Sequence, residues 1–522
     1  MNSDSIPRGS ALSKKSRYAW VLCASLALAA CGGGGSSGGG GDPGTTGASL
    51  DGLEYMDITE LSQRMSQGTS SHAITSYLLD RIARLDRQGP TLKAVIELNP
   101  DALRLADQMD AERASGRLRG PLHGIPVLLK DNIDTGTRMQ TSAGSLAMVG
   151  TPAARDAVVA RKLRDAGAVI LGKTNLSEWA YFRDASLPSG WSGRGGQTRN
   201  PYVLDRDPCG SSSGSGVGIA AGFAPIALGT ETEGSILCPA AANGVVGIRP
   251  TLGLASRTGI VPISEAQDTP GPMARSVRDA ALLLSVMAGR DAADGATRDA
   301  GLHSGDFTRF LKTDGLAGRR IGYPQDRTPG EASNFGQALA AMRAAGAVLV
   351  PVQMPNPSAE YEVPLLAANF GRGLSTYLAT RPGLPIRSLQ DLIAFNRTAP
   401  LDGRGQPYPQ GLIQLAADLL ADPDSDAELS TLGPQQKGDA RAAIDGVLQR
   451  HALDMLASDQ YGGHGGAMAG YPAIVVPSGI DSDGMPLAVQ FLGTQWSEPA
   501  LLGVAYAFEQ ATRARRNPKF LP

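Results

Sequence analysis

Short apolar segments that follow helical patterns constrain the fold of this 522-residue chain more than any other feature. Residues Asp156 to Ala166 show apolar positions at helical spacing, Gly167 ends the pattern, and the apolar run Ala168–Leu171 follows. The same order recurs where the helical pattern of Ala338 to Gly346 precedes Ala347–Val350. Helices that alternate with short apolar strands predict an α/β fold with a largely parallel sheet.

One further strand brings a candidate functional residue to the edge of this sheet. Val127–Leu129 is short and apolar, and Lys130 follows at its carboxyl end. Functional groups gather at this edge in open α/β sheets. The pattern is weakest in residues 401–432, which are rich in Pro, Gly and Asp. We expect that segment to form a peripheral cap or loop.

Lys130 belongs to one of three segments whose residues are suited to hydrolysis. The other two are the Gly/Ser loop Pro208–Gly214, with Ser211, and Gly229–Ile236, with Ser235. A serine hydroxyl is a poor nucleophile until a base removes its proton. A lysine can be that base if its environment keeps it neutral. Since no histidine lies in the three segments, they predict a hydrolase that uses lysine without a histidine relay.

The role of Lys130 as a base requires that it be buried. A free lysine has a pKa near 10.4, so an exposed Lys130 would be protonated at neutral pH. The apolar run Ile125–Leu129 that leads into it agrees with burial. In isolation, a lysine after an apolar strand is usually a solvated strand end. The two serine segments favour the catalytic interpretation.

Together the three segments resemble those of the amidase signature family. Members of that family use a Ser–Ser–Lys triad, with the first serine on a cis peptide bond. The resemblance implies that Lys130 is the base, Ser211 the bridging serine and Ser235 the nucleophile, 24 residues beyond Ser211. It also implies the amidase-signature fold, one large mixed, mostly parallel sheet flanked by helices, in an amidase domain of residues 53–520.

The resemblance also implies an oxyanion hole. Its donors would be the backbone N–H groups of Thr232, Glu233, Gly234 and Ser235, which would stabilise the charge that forms when Ser235 attacks a carbonyl. The sequence departs from the commoner family pattern here. Glu233 stands where glycine is usual, and Leu237 stands where arginine is usual. An acidic residue at this position is shared with peptide amidases, so we interpret it as a mark of that subgroup.

Bacterial peptide amidases, which remove ammonia from C-terminal peptide amides, are the members that the chain resembles most. The segments that carry this closer resemblance are Ser192–Tyr202, Pro208–Gly214, Ser235–Ala240 and Trp496–Pro499. They predict hydrolysis of a carboxylic amide, here a C-terminal peptide amide, to acid and ammonia through an acyl-enzyme. Residues 457–468 are shorter than the corresponding peptide-amidase segment. If that segment forms a wall of the substrate cleft, the cleft would be more open or would accept different amides.

Other functions stay open from the sequence. An amidase of this family could act on aliphatic, fatty-acid or aryl amides, and an inactive amidase-like binding lipoprotein is a more distant alternative. Gly210–Gly214 also matches the nucleophile elbow of α/β-hydrolases, with Ser212 as nucleophile. That mechanism needs a later histidine, and the candidates are His303, His451 and His464. We expect no cofactor and no metal, because no His/Cys/Asp cluster has metal-ligand spacing.

The N-terminus is typical of a bacterial lipoprotein. Basic residues precede the apolar stretch Tyr18–Ala30, which is too short to span a bilayer, so residues 1–30 are predicted to be a signal peptide. Leu28–Cys31 resembles the lipobox, in which Cys31 becomes the lipidated N-terminus. The Gly/Ser-rich residues 31–52 would be a flexible tether. We expect a lipid-anchored protein of the cell envelope that faces the periplasm; a soluble secreted protein is the alternative.

Composition limits the partners. The net charge of −2 and the 19% of charged residues show no basic signal for nucleic-acid binding. Export and a tether further argue against the role of those family members that transamidate charged tRNA. The expected partners are a small amide or amidated peptide as substrate and a membrane, through the lipid anchor, with no obligate protein partner. Cys209 and Cys238 are either two inert thiols or, in an oxidising periplasm, a disulfide.

Overall fold

The computed structural model of the chain describes residues 50–462 and 465–522. The predicted signal peptide, Cys31 and nearly all of the predicted tether lie outside the described residues, and so does His464. The segment Ser49–Pro522 forms one compact unit.

A sheet of eleven strands forms the centre of this unit in the described part of the chain. The strands, in chain order, are β1 Val95–Leu98, β2 Pro126–Lys130, β3 Val169–Thr174, β4 Trp191–Ser192, β5 Gly196–Gln197, β6 Ile226–Glu231, β7 Val246–Arg249, β8 Thr269–Ala274, β9 Arg320–Pro324, β10 Val348–Val352, β11 Met455–Ser458, β12 Ala473–Ile480 and β13 Pro486–Leu492. Their order in the sheet is β1-β3-β2-β6-β8-β7-β12-β13-β11-β9-β10, and β4 and β5 form a separate pair.

The predicted α/β fold with one large mixed sheet is confirmed, but its share of parallel pairs is smaller than expected. Four of the ten neighbouring pairs are parallel and six are antiparallel. The helix–strand units visible in the sequence end in β3 and β10, which belong to parallel pairs. A parallel pair needs a long crossover, whereas antiparallel neighbours can be joined by a short turn, as residues 481–485 join β12 to β13. Because such turns have no helical periodicity, the antiparallel pairs could not be predicted from helix–strand units.

Helices surround the sheet. In chain order they are α1 Ile58–Ser66, α2 Ser71–Ile82, α3 Ala102–Ala114, α4 Val158–Asp165, α5 Ser213–Ala220, α6 Leu237–Ala242, α7 Val277–Met287, α8 Ala300–His303, α9 Asn334–Ala344, α10 Glu362–Ala379, α11 Leu389–Asn396, α12 Gly411–Ala421, α13 Pro423–Arg450, α14 Gly466–Ala469 and α15 Glu498–Thr512. The two predicted helix–strand units correspond to α4 with β3 and to α9 with β10. Among the described helices, none has the length and apolar character that a membrane span requires.

A cluster of buried hydrophobic side chains joins α10, α11 and α12 to a loop that follows β3. Phe370 of α10 is fully buried there, edge-on to Trp179, with 5.9 Å between ring centroids. The ring of Phe182 lies 5.0 Å from that of Phe370. The segment 401–432, expected to be a cap or loop, contains α12 and the start of α13, which pack against α10. It therefore forms part of a helical layer.

The sheet register determines where the candidate catalytic residues meet. Strands β2 and β6 are neighbours, parallel and fully buried, with Leu129 opposite Leu228. Lys130 at the end of β2 therefore lies beside the end of β6. Helix α5, which follows the Gly/Ser loop, is also buried along its whole length. A Cβ at Gly214 would overlap the carbonyl oxygen of Ala94, so only glycine permits this close packing.

Candidate active site

Lys130 lies at the centre of the candidate site. Its side chain is fully buried, and its Nζ is 2.8 Å from Ser211 Oγ. It also lies 3.0 Å from the carbonyl oxygen of Thr230 and 2.9 Å from Thr230 Oγ1. Asn132 Nδ2 donates to the same Thr230 hydroxyl at 2.9 Å. Lys130 and Ser211, which are 81 positions apart in the sequence, are thus in direct contact.

Burial determines the charge of this lysine. The loss of water around its ammonium group lowers the pKa of Lys130 to about 7, although the carboxylates of Glu231 and Asp268 oppose the shift. A substantial fraction of Lys130 is therefore neutral at neutral pH, with a lone pair on Nζ. This is the state that a lysine base requires.

The two serine segments meet at the same place. The peptide bond Gly210–Ser211 is cis, as the family resemblance implies for the first serine. Ser211 is fully buried, whereas Ser235 keeps 8% of its surface exposed. The backbone N–H of Ser212 donates to the carbonyl oxygen of Ser235 at 3.1 Å. The structure thus places the Ser235 backbone beside the Gly/Ser loop that carries Ser211, which in turn contacts Lys130.

A disulfide joins the same two segments. Cys209, two residues before Ser211, is bonded to Cys238, three residues after Ser235. Their Cα atoms are 5.9 Å apart, which lies within the usual range for a disulfide. Of the two possibilities that the sequence left open, the structure has the disulfide.

The loop Thr232–Ser235 runs from β6 to α6 and presents free backbone donors. None of its four N–H groups donates to an acceptor within the described residues. Glu231, a residue that the sequence analysis missed, holds the far end of the loop: its Oε2 accepts from Ile236 N at 2.6 Å and from Leu237 N at 2.9 Å. Arg249 pairs with the same carboxylate at 3.5 Å.

The near end of the loop is held by Asp268, which was also missed. Thr232 Oγ1 donates to Asp268 Oδ1 at 2.6 Å. The other oxygen of this carboxylate accepts from Ile263 N at 2.8 Å and from Ser264 N at 2.9 Å. Asp268 thus connects the loop Thr232–Ser235 to the loop before β8. Its position just before β8 depends on the pairing of β8 with β6, which no sequence pattern indicated.

Glu233 lies in an environment that disfavours the charged form of its carboxyl. Burial raises the pKa of its carboxyl well above the ordinary value, and the neighbouring Glu362 and Glu231 raise it further. Its Oε2 is shielded from solvent and has no hydrogen-bond partner among the described residues. The surroundings therefore favour the neutral form of this acidic residue in the candidate oxyanion loop.

A cavity of about 430 Å³ opens beside these groups. Asn132 and Thr230, which surround Lys130, form part of its wall, together with Thr232 and Asp268. This volume falls in the range of small-molecule sites. Within the described residues, no group of His, Cys, Asp or Glu could hold a metal ion.

The alternative nucleophile, Ser212, does not have the surroundings of a catalytic serine. Its hydroxyl donates to the carbonyl oxygen of Thr230 at 3.1 Å and accepts from Thr230 N at 3.2 Å. His303 instead stacks on Trp496, and His451 ends α13. In the described part of the chain, no histidine contacts Ser212.

Comparison with known proteins identifies the family. The family model named Amidase matches residues 73–458. The chain belongs to the amidase signature family. The structure of the peptide amidase from Stenotrophomonas maltophilia is similar, with a TM-score of 0.82 and 50% identity over 89% of this chain and 98% of that chain.

Two relatives indicate the breadth of the family. A probable amidase of Arabidopsis thaliana is 42% identical over 468 residues, which cover 87% of this chain and 89% of the relative. One subunit of the glutamyl-tRNA(Gln) amidotransferase of Carboxydothermus hydrogenoformans is 32% identical, over 88% of this chain and 98% of the relative. The chain is therefore an amide-hydrolysing enzyme, and the alternative of an inactive binding lipoprotein is set aside.

The hydrogen bond between Thr232 and Asp268 predicts the effect of two substitutions in this amidase. Thr232→Val removes the hydroxyl but keeps the side-chain shape, so the loop loses its tie to Asp268. We expect kcat for acetyl-Gly-Leu-amide, measured by ammonia release, to fall about tenfold with little change in KM. Thr232→Ser restores the hydroxyl and should restore most of kcat. Equal kcat values for Thr232→Val and the wild type would show that this bond does not position the loop.

Proposed function

We propose that this amidase hydrolyses the C-terminal carboxamide of a peptide to the free acid and ammonia, through a triad of Lys130, Ser211 and Ser235. The contact between the buried Lys130 Nζ and Ser211 Oγ is the observation that carries the mechanism. The substrate class is supported by the 50% identity to a peptide amidase over nearly all of that enzyme. It is also supported by Glu233, the acidic residue that the chain shares with that subgroup.

The hydrogen bonds around Lys130 suggest how protons are arranged before the reaction. A neutral lysine has two N–H bonds and one lone pair. The Thr230 carbonyl and hydroxyl oxygens can accept both N–H bonds. The lone pair then accepts the hydroxyl proton of Ser211, whose oxygen is left to accept the proton of Ser235. With this order of donors and acceptors, protons can move from Ser235 through Ser211 to Lys130.

The first half of the reaction forms the acyl-enzyme. Ser235 Oγ bonds to the amide carbon while its proton passes to Ser211, and the Ser211 proton passes to Lys130. The carbonyl oxygen becomes an oxyanion, stabilised by the N–H groups of Thr232, Glu233, Gly234 and Ser235. The carbon–nitrogen bond then breaks, and the nitrogen receives a proton returned from Lys130 through Ser211. Ammonia leaves, and an ester to Ser235 remains.

The second half releases the acid. Water attacks the ester carbon as its proton passes through the same two groups to Lys130. The ester bond breaks, Ser235 Oγ regains a proton, and the carboxylic acid departs. The raised pKa of Glu233 suits both halves, because an ionised carboxylate beside the oxyanion would oppose its negative charge.

A panel of amides tests both the triad and the substrate class. We expect wild-type enzyme to release ammonia from acetyl-Gly-Leu-amide faster than from hexanamide, oleamide or benzamide, as measured by kcat/KM. Lys130→Ala and Ser235→Ala should each reduce kcat at least about a thousandfold, because members of a triad act as a unit. Ser115→Ala, at an exposed serine on the surface, is the control and should match the wild type.

Two results would contradict this function. Full turnover in Lys130→Ala or Ser235→Ala would rule out the triad. A higher kcat/KM for the aliphatic, fatty-acid or aryl amide would keep the triad but change the substrate class to that amide.

We further propose that the enzyme is anchored in the bacterial cell envelope through lipidated Cys31 and faces the periplasm. The lipobox-like Leu28–Cys31 and the Gly/Ser-rich residues that follow support this location. So does the disulfide between Cys209 and Cys238, since disulfides persist mainly in oxidising compartments.

Fractionation of bacterial cells tests the anchor. Full-length protein should sediment with the membranes, and Cys31→Ser should move to the soluble fraction with its ammonia-releasing activity intact, because Lys130, Ser211 and Ser235 all belong to the segment Ser49–Pro522. Wild-type protein in the soluble fraction would contradict lipidation and favour a secreted enzyme.

A further inference from the structure

A second cavity adjoins the catalytic one. Its volume is about 750 Å³, and α10, α13 and the loop before β8 form its walls. The two cavities share four lining residues: Ile260, Pro262, Glu265 and Thr376. The two cavities are therefore adjacent.

The chemistry of the reaction determines which part of a substrate reaches this cavity. The leaving group of a primary amide is ammonia, which is little larger than water. Nearly all of the substrate therefore lies on the acyl side of the bond that breaks. For a C-terminal peptide amide, the amidated residue would occupy the first cavity, and residues upstream of it would enter the second.

The second cavity contains an unpaired cation. Lys437 of α13 lines it, is half-buried, and has no hydrogen bond or ion pair among the described residues. Burial lowers the pKa of Lys437, and the positive charges of Arg441, Arg257 and Arg249 lower it further. Each of these arginines already has partners: Arg249 pairs with Glu231, Arg257 with Asp294, and Arg441 donates to the carbonyl oxygen of Ala469. Arg372, the other cation in the wall of this cavity, pairs with Asp426, so Lys437 is the lining cation that has no partner among the described residues.

A negatively charged side chain, that of Glu265, lies where the two cavities meet. Glu265 lines both of them, and among the described residues its carboxylate makes no ion pair. An acidic side chain would be repelled at the junction and attracted further in, by Lys437. The arrangement distinguishes an acidic residue upstream in the peptide from an acidic residue that is itself amidated.

We propose that the second cavity is a subsite for an acidic side chain upstream of the amidated residue, and that the Lys437 ammonium recognises its carboxylate. The inference rests on the proposed peptide amidase function and adds a sequence preference to it. Apolar residues, among them Leu365, Leu429 and Ile260, form other parts of the wall and would contact the rest of the peptide. A carboxylate beside Lys437 would also stabilise the charged form of this half-buried amine.

Paired substrates test the subsite. The pair acetyl-Glu-Leu-amide and acetyl-Gln-Leu-amide differs only in one charge. We expect wild-type kcat/KM, from ammonia release, to favour the Glu substrate about tenfold. In Lys437→Met this ratio should fall to about one. Lys312→Met removes the same charge at a position outside both cavities and should keep the tenfold ratio.

A charge reversal keeps the test decisive if Lys437→Met folds poorly. In Lys437→Glu, kcat/KM should be higher for acetyl-Lys-Leu-amide than for acetyl-Glu-Leu-amide. A variant that has lost its fold could not show this inversion. A ratio of one in the wild type, or an unchanged ratio in both Lys437 variants, would overturn the subsite while leaving the peptide amidase function in place. Failure of the wild type to hydrolyse any of these peptide amides would overturn both.

Discussion

The removal of water from one ammonium group, that of Lys130, is the constraint on which the rest of the site depends. Lys130 ends a fully buried strand, and Thr230 of the neighbouring strand β6 supplies two of the oxygens that contact its Nζ, beside Ser211 Oγ. In this environment the neutral amine is favoured enough to bring its pKa to about 7. The same lysine at a solvated strand end would be a permanent cation and useless as a base.

Buried carboxylates fix the loops around this lysine. Glu231 and Asp268 each accept two backbone N–H groups, and they hold the two ends of the loop Thr232–Ser235. A further ion pair involves Asp131, the residue after Lys130: fully buried Lys173 lies 3.6 Å from its carboxylate. Buried charges are tolerated in proteins when they are paired or hydrogen-bonded, as these are. Both ends of the loop Thr232–Ser235 are therefore held by carboxylates that accept several hydrogen bonds.

The sequence predicted the parts of the site that lie within single segments. Lys130, Ser211 and Ser235 each stand in a segment with its own recognisable pattern, and the apolar run before Lys130 indicated its burial. Thr230 and Asp268 were missed because their roles arise from pairing between strands distant in sequence. The disulfide was left open because sequence does not give the distance between Cys209 and Cys238.

The fold likewise has local features that the sequence predicted and long-range features that it did not. Helix–strand units such as α4 with β3 have local periodicity and were predicted. The antiparallel centre of the sheet and the helices in residues 401–432 depend on tertiary packing, so their sequences carried little signal. Glu233 shows how sequence and structure combine. The sequence identified an unusual acidic residue, and the structure shows that burial, with Glu362 and Glu231 nearby, raises the pKa of its carboxyl.

Direct titration of Lys130 tests the central claim, that this amine is neutral at the pH where the enzyme works. The ¹³Cε signals of labelled lysines can be followed by NMR from pH 5 to 11, with the Lys130 signal assigned by its absence in Lys130→Ala. Because burial lowers the pKa of Lys130, its signal should change from the charged to the neutral form as pH rises through about 7. A midpoint near 10.4, where free lysines titrate, would contradict the account.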